Sequence, residues 1–317
     1  MLSLVIPVYR NERSIPDLLA ALEEMSRRPD DSFEVVFVVD GSPDRSLEVL
    51  REMLPGAGFR SRVLSLSRNF GPFAAVRAGL AAGGGDIFAV MAADLQEPPE
   101  LILSFRDALE SGRYDVAVGC RESRSDPLRD RLFSAAFWGL YRAFVQRDVP
   151  RGGVDVFGCT RRFRDEILAL GENNTTLVGL IFWLGFRRAE IRYQRRPRRH
   201  GKSAWLFRRK FRYLLDSCFA FSDLPIRLLS LVGLMGIGLS IAAGAAVFVA
   251  RATGRIDVPG YAATVLTVMF FGGLNSLGIG ILGEYLWRTF ENTKGRPGYV
   301  VFSCSEFAGR PNRKDHG

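Results

Sequence analysis

The sequence predicts an α/β protein: a mainly parallel sheet flanked by helices, followed by an interfacial helix and two transmembrane helices. Three observations predict it. Apolar strand-like runs alternate with helix-like segments from Leu2 to Ser111 and on to Gly119, two uncharged stretches of 23 residues dominate the C-terminal third, and a run of interleaved aromatic and basic residues joins the two regions.

The strand candidates are Leu2–Val8, Phe33–Val39, Val63–Leu66, Ile87–Met91 and Val116–Gly119. Between them lie helix candidates over Ile15–Ser26, Pro43–Leu54, Pro72–Ala82 and Pro99–Ser111. Strands and helices alternating at this spacing imply a parallel sheet covered on both faces. In such sheets ligands sit beyond the carboxyl ends of the strands, so the residues that follow each strand are the first place to look for chemistry.

Trp205 to Phe221, WLFRRKFRYLLDSCFAF, interleaves aromatic and basic residues immediately before the first uncharged stretch. A helix there would bury its aromatic side in a membrane interface and turn its cations toward anionic headgroups. The stretches themselves, Leu228–Ala250 and Tyr261–Gly283, hold 23 residues each. As helices they would be about 34 Å long, enough to cross a bilayer core. Arg208, Arg209, Lys210, Arg212 and Arg227 precede the first, and Arg288, Lys294 and Arg296 follow the second, whereas the loop between holds only Arg251 and Arg255 against Asp257. Both outer flanks are therefore expected on the cytosolic face. Gly236, Ser240 and Gly244, then Gly272, Ser276 and Gly280, recur every four positions, giving each span a face on which another helix can pack, either the other span or another subunit.

Composition narrows the classes further. The chain has 317 residues, 47% hydrophobic, and a formal charge of +9. This is too apolar for a disordered chain and too charged for a polytopic transporter. The charge is local: Arg187 to Leu215 carries twelve Lys or Arg against Glu190 alone. Such a patch wants an anion, and beside two spans the nearer anion is phospholipid, so nucleic acid is not expected as a partner. Cys120, Cys159, Cys218 and Cys304 are far apart and read as reduced thiols, with neither a disulfide framework nor a zinc site. With His200 and His316 as the only histidines, a histidine metal cluster and a Ser-His-Asp hydrolase are both disfavoured. MLSLVIPVYRNE has no basic segment before its apolar run and meets Pro7 early, so no signal peptide is expected.

The chemistry-bearing motifs fall at the strand ends. The first strand runs into VIPVYRNE, the second into VVDGSPD, the third into RNFGPFAAVRAGL and the fourth into MAADLQEPPE. A strand-end Asp can accept hydrogen bonds from a base or ribose, and a carboxylate with a nearby amide oxygen can hold a hard divalent ion beside a diphosphate.

With these motifs, and with VDVFGCTRR, YQRRPRRHGKS and the paired spans, the sequence resembles the family 2 inverting glycosyltransferases of GT-A fold over roughly residues 1–290. The branch it is similar to is membrane-anchored and moves sugars onto polyprenyl phosphates, as bactoprenol glucosyltransferases and dolichyl-phosphate mannose synthases do. The resemblance implies that Pro7, Tyr9, Glu12 and Asp40 line the nucleotide pocket, and that Asp94 and Gln96 hold a divalent ion, Mg²⁺ or Mn²⁺, against the donor diphosphate. It implies that Arg121, Arg131 and Ser134 surround the acceptor phosphate and that Asp155 lies near the reaction centre. Tyr193, Arg195, Arg198, Gly201 and Ser203 match a phosphate-closing pattern in which arginine forks suit phosphate oxygens and Gly201 permits close approach. Two departures stand out: the family's paired Asp is Val39–Asp40 here, and its Asp-x-Asp is Ala92–Ala93–Asp94. Ala204 also replaces the usual Lys after Ser203, with Lys202 nearby as a substitute.

The domains implied are a cytosolic GT-A domain over 1–204, an amphipathic juxtamembrane segment over 205–226, a transmembrane hairpin over 227–287 and a cytosolic tail over 288–317, weakly ordered after Tyr299. The activity implied is inverting transfer of a hexose, glucose from UDP-glucose, to undecaprenyl phosphate at the cytosolic face of the inner membrane. Partners are then the nucleotide sugar, the polyprenyl phosphate, membrane lipids and further copies of the chain in a homo-oligomer. A lipid monophosphate has a second pKa of about 6 and attacks largely as the dianion, so the site needs cations to position it rather than a strong base. The competing reading, supported by Ala92, is a catalytically inactive nucleotide-sugar-binding regulator.

Overall fold

The structure, a computed structural model, describes residues 1–27, 33–121, 138–139, 141–143, 145–150, 153–154, 156–172, 175–196, 216–222, 224–253 and 260–309. In chain order these form β1 (Leu2–Val8), α1 (Ile15–Ser26), β2 (Phe33–Val39), α2 (Ser46–Met53), β3 (Arg60–Leu66), α3 (Pro72–Ala82), β4 (Ile87–Val90), α4 (Pro99–Glu110), β5 (Val116–Arg121), β6 (Phe157–Thr160), α5 (Arg161–Ala169), α6 (Leu177–Trp183) and β7 (Arg188–Tyr193). Helical residues 216–221 precede α7 (Leu224–Ala252), α8 (Tyr261–Thr293) and β8 (Val301–Phe307).

The eight strands form one sheet in the order β7-β5-β6-β4-β1-β2-β3-β8. Pairings β1–β2, β1–β4, β2–β3 and β5–β7 are parallel, while β6 runs against β4 and β5 and β8 runs against β3. It follows that β1, β2, β3, β4, β5 and β7 all point the same way, and their carboxyl ends share one edge. This is the mostly parallel mixed sheet flanked by helices that the alternation predicts.

The central strands are apolar on both faces because helices cover both. Every residue of β2 is buried, and all of β1 except the partly buried Pro7. On one face α1 buries Ile15, Leu18, Leu19, Leu22 and Met25, a helical stripe that contributes about 1.5–3 kcal/mol for each fully buried side chain. On the other face α3 starts at Pro72, whose missing N–H costs nothing in a first turn. It then lies so close to the sheet that a Cβ on Gly79 would overlap Val5 and press on Val38. Only glycine allows that approach.

Two elements correct the sequence reading. β6 inserts an antiparallel strand between β4 and β5, and its Gly158 is packed so tightly on Phe105 and the Phe88 carbonyl that the segment carries little strand signal. The tail after Tyr299, expected to be weakly ordered, instead returns to the sheet as β8. Leu64 pairs with Cys304, Arg62 with Glu306, and the Arg62 Nε–Glu306 Oε1 ion pair is 3.1 Å long. Arg51 Nη2 also donates to Ser303 Oγ at 3.2 Å. The partner strand lies more than 200 residues away, and local composition does not reveal it.

The two apolar stretches are helical, and each is longer than its uncharged core, with candidate spans over Leu224–Val247 and Thr267–Thr293 of which little is fully buried. Of the small residues singled out, Gly236 packs against Phe271, whereas Gly244, Gly272 and Gly280 meet nothing within 4 Å. The contact of α7 with α8 includes Gly278 against Leu229 instead. The four cysteines are free.

Candidate active site

The shared carboxyl edge assembles the site from loops. After β1, Arg10 takes a left-handed backbone (φ 56°) and the chain turns into α1. After β2, Gly41 does the same (φ 56°). These two turns interlock: Arg10 N–H donates to Ser42 Oγ (2.8 Å), Asn11 N–H to Ser46 Oγ (3.1 Å) and Glu12 N–H to Asp44 Oδ2 (3.2 Å). In return Arg45 N–H donates to Glu12 Oε2 at 3.1 Å. Asp44 is the hub, since its Oδ1 also accepts from Ser42 Oγ (2.5 Å) and Ser46 Oγ (2.7 Å). Burial alone would push the Asp44 carboxyl up, but these hydroxyls and the Glu12 and Ser46 amides outweigh it and hold it below its ordinary value. Sequence reasoning passed over Asp44 in favour of Asp40. The Ser-x-Asp-x-Ser spacing, a turn-forming pattern, was the available signal.

Asp40 is buried, and both its oxygens are used by the chain itself. Phe70 N–H donates to Oδ1 (2.7 Å) and Gly71 N–H to Oδ2 (2.9 Å), while its carbonyl accepts from Asn69 Nδ2 (3.2 Å). The carboxylate thereby holds the RNFGP turn that opens α3. Burial raises its pKa despite the two amides and the nearby Arg68, whose guanidinium lies 4.0 Å over the Phe70 ring. Tyr9 stands exposed beside Arg10, and Pro7 sits within β1 opposite Val38. A cavity of about 380 Å³ lies between the two turns, lined by Arg10, Asn11, Glu12, Arg13, Ser14, Pro43 and Asp44. Asp94 and Gln96 are not in its lining, so the pocket and the proposed metal loop are adjacent features of the edge rather than one enclosed chamber.

After β4 the chain reaches Asp94, then Leu95 in a left-handed conformation (φ 54°), a conformation uncommon for leucine. This kink lets Asp94 Oδ1 accept from Gln96 N–H at 3.3 Å. Across it lies the segment after β7. Arg195 Nη2 donates to Gln96 Oε1 (2.5 Å), Arg196 N–H to the Gln96 carbonyl (2.9 Å), and Gln96 Nε2 to the Arg196 carbonyl (3.5 Å). Arg195 Nε also stands 4.0 Å from the buried Glu97. Gln96, expected from the resemblance to help hold the metal, and Arg195, expected to close over the donor diphosphate or the lipid phosphate, are thus in contact.

A divalent ion fits the donor chemistry here. Asp94 offers a carboxylate and Gln96 an amide oxygen, both hard ligands, and Mg²⁺ commonly takes one or two carboxylates plus substrate phosphates. Among the described residues no cluster of three acidic, His or Cys side chains forms, so phosphate oxygens and water would complete the shell. Gln96 Oε1 is engaged by Arg195 and would have to be shared or released. Arg121 closes β5 at the same edge. Arg131, Ser134, Asp155, Arg198, Gly201 and Ser203 lie outside the described residues.

Residues 3–170 match the glycosyl transferase family 2 model. The chain is similar to an uncharacterized glycosyltransferase of Synechocystis sp., 32% identical over 95% of this chain and 94% of that protein. It is similar to an undecaprenyl-phosphate 4-deoxy-4-formamido-L-arabinose transferase of Pseudomonas paraeruginosa, 34% identical over 95% and 89%. It is also similar to a prophage bactoprenol glucosyl transferase homolog of Escherichia coli, 28% identical over 95% and 98%. The chain belongs to glycosyltransferase family 2, and it is a glycosyltransferase.

Proposed function

We propose that this chain transfers a hexose, glucose from UDP-glucose, to undecaprenyl phosphate at the cytosolic face of the inner membrane. The observation that carries the reading is the fusion of the sheet edge to two long apolar helices: α8 leads directly into β8, a strand of the catalytic sheet. A soluble acceptor would not need that attachment, whereas a lipid phosphate confined to the bilayer surface does. The relatives named for undecaprenyl phosphate and for bactoprenol support the acceptor class.

In this reading the nucleotide lies across the β1 and β2 turns. The diphosphate sits between the Asp94 loop and Arg195, and the acceptor phosphate approaches Arg121, with Arg131 and Ser134 contributing from beyond β5. Asp94 and Gln96 would hold the divalent metal, which when bound would supply positive charge for the leaving diphosphate. The lipid phosphate needs no strong base, because it is largely dianionic at neutral pH. The chain's own task is to hold it in line behind the anomeric carbon, which inverts that centre. Arg195, Arg198, Gly201 and Ser203 close over the phosphates, and Asp155 orients hydroxyls near the reacting carbon.

The test is incubation of membranes containing the protein with undecaprenyl phosphate and a panel of sugar nucleotides, followed by mass measurement of the extracted lipid. One glycolipid, dependent on Mg²⁺ or Mn²⁺ and lost in Asp94→Ala with membrane insertion intact, is expected. The regulator reading rests on Ala92, which stands where a carboxylate is usual. Donor binding without any glycolipid from any donor decides for it.

A further inference from the structure

The helical residues 216–221 lie along α6 of the catalytic domain. Thr176 Oγ1 and Ser217 Oγ, both buried, are 3.5 Å apart, and a Cβ on Gly179 would overlap the Phe221 ring. Two contacts fix a direction. Residue 217 stands beside 176 and residue 221 beside 179, so the two helices run side by side the same way.

Their continuations then matter. Beyond Phe221 the chain enters α7 at Leu224, where the first apolar span begins. Beyond Gly179 by one turn, about 6 Å of helical rise, α6 ends at Trp183. Positions four apart share a helix face, so Trp183 continues the stripe of Gly179 that faces residues 216–221. Trp183 thus lies one turn beyond Gly179 in the direction in which the chain from Phe221 runs on to α7. Its neighbours Leu180, Ile181 and Phe182 are buried, but Trp183 itself is 59% exposed. Gly185, left-handed at φ 71°, then turns the chain back toward β7.

The arrangement is held mechanically as well. Arg288 of α8 binds Asp216 (2.8 Å) and Glu284 (2.9 Å), and Tyr285 Oη donates to the Ser222 carbonyl (3.3 Å). Residues 216–222 are thus tied to α8 on one side and to α6 on the other. An indole left more than half exposed gains little from the core, whereas its apolar body and single N–H donor suit the boundary between headgroups and acyl chains.

We propose that Trp183 is a membrane-interface anchor, seating α6 in the headgroup region of the bilayer and giving the catalytic domain a lipid contact of its own. The proposal rests on the reading of α7 and α8 as membrane spans. The test uses the full chain in phosphatidylethanolamine and phosphatidylglycerol vesicles, with Trp138, Trp205 and Trp287 changed to Phe so that Trp183 alone emits. A companion variant keeps only Trp287, on α8. We expect Trp183 to emit at a blue-shifted maximum, to lose intensity when the vesicles carry lipids brominated in the upper chain, and to be shielded from aqueous iodide. Quenching by iodide with no response to brominated lipid, while Trp287 responds to that lipid, would overturn the anchor and leave the spans standing. Loss of the lipid response at both positions would overturn the spanning reading and the anchor with it. Should the triple replacement not fold, the difference spectrum between the unmodified protein and Trp183→Phe reads the same quantity.

Discussion

Arg195 and Gln96, 99 residues apart, meet side chain to side chain, with the guanidinium Nη2 donating to the amide Oε1 at 2.5 Å. The Gln96 carbonyl is held by Arg196 N–H in the same place, so one residue pins the segment after β7 onto the loop after β4. In the function proposed above, Gln96 would have two duties, offering an oxygen toward a metal and positioning Arg195 beside the diphosphate. Gln96→Ala removes both. A hydrogen bond to a charged group contributes about 1.5–3 kcal/mol, so UDP binding in the presence of Mn²⁺ should weaken about tenfold to hundredfold. Gln96→Glu, which keeps an acceptor for Arg195 and an oxygen for the metal, should lose much less. Calorimetric titration with UDP and Mn²⁺ checks both, and equal losses would remove the positioning role.

Asp44 and Asp40 lie four residues apart and shift in opposite directions. The Asp44 carboxyl is held below its ordinary 3.8, so its stabilisation is fully present above that pH and disappears as pH falls through the lower folded value. The Asp40 carboxyl is raised by burial, so its contribution runs the other way and diminishes as pH rises through its folded value. Asp44→Ala should cost about 1–2 kcal/mol at neutral pH, allowing for its partly solvated face, and loosen the β1 and β2 turns together. Thermal unfolding from pH 7 down to pH 3 measures it. The gap between the two proteins should stay constant at the upper end and narrow only in the most acidic samples.

Gly41 shows how closely the β2 turn approaches the next one. At φ 56° a side chain is already strained, and a Cβ would overlap the backbone of Arg68 and Asn69. Those residues lead into the Phe70 and Gly71 amides that Asp40 binds. Gly41→Ala should therefore cost at least the roughly 1–2 kcal/mol of a left-handed L-residue and displace the RNFGP turn. Urea denaturation gives the stability loss, and fast hydrogen exchange at Phe70 and Gly71 would report the broken contact. Unchanged protection there would show that the Asp40 contacts survive the substitution and that the clash is absorbed elsewhere.

Much of this was legible before the structure because it is local. β1, β2, α1 and α3 begin and end where their apolar runs and prolines place them, and the motifs do fall at one sheet edge. What escaped was non-local. β8 is VFSCSEF, with Phe302 outward and Ser303, Ser305 and Phe307 partly covered, a weak alternation whose partner β3 lies far back in the chain. The interlock centred on Asp44 joins two turns that the sequence presents separately. The Gln96–Arg195 contact joins strand ends separated by β5 and β6 in the sheet.

The position of β8 also makes a topological claim that does not depend on counting charges. β8 pairs with β3 of the catalytic sheet, so the end of α8 and the start of α7 must lie on the same side of any membrane those helices cross. The connection between α7 and α8 must then lie on the other side. Cys304 is exposed on β8 and supplies a native reporter for the first side. A cysteine introduced at Thr253, just past α7, reports the second in a background where Cys218 and Cys304 are serine. With a membrane-impermeant maleimide, Cys304 should label in inside-out vesicles and be protected in right-side-out ones, and Thr253→Cys should show the reverse. Labelling of both from the same side would mean that α7 and α8 do not form a spanning hairpin, and the attachment of the sheet to the bilayer would need another explanation.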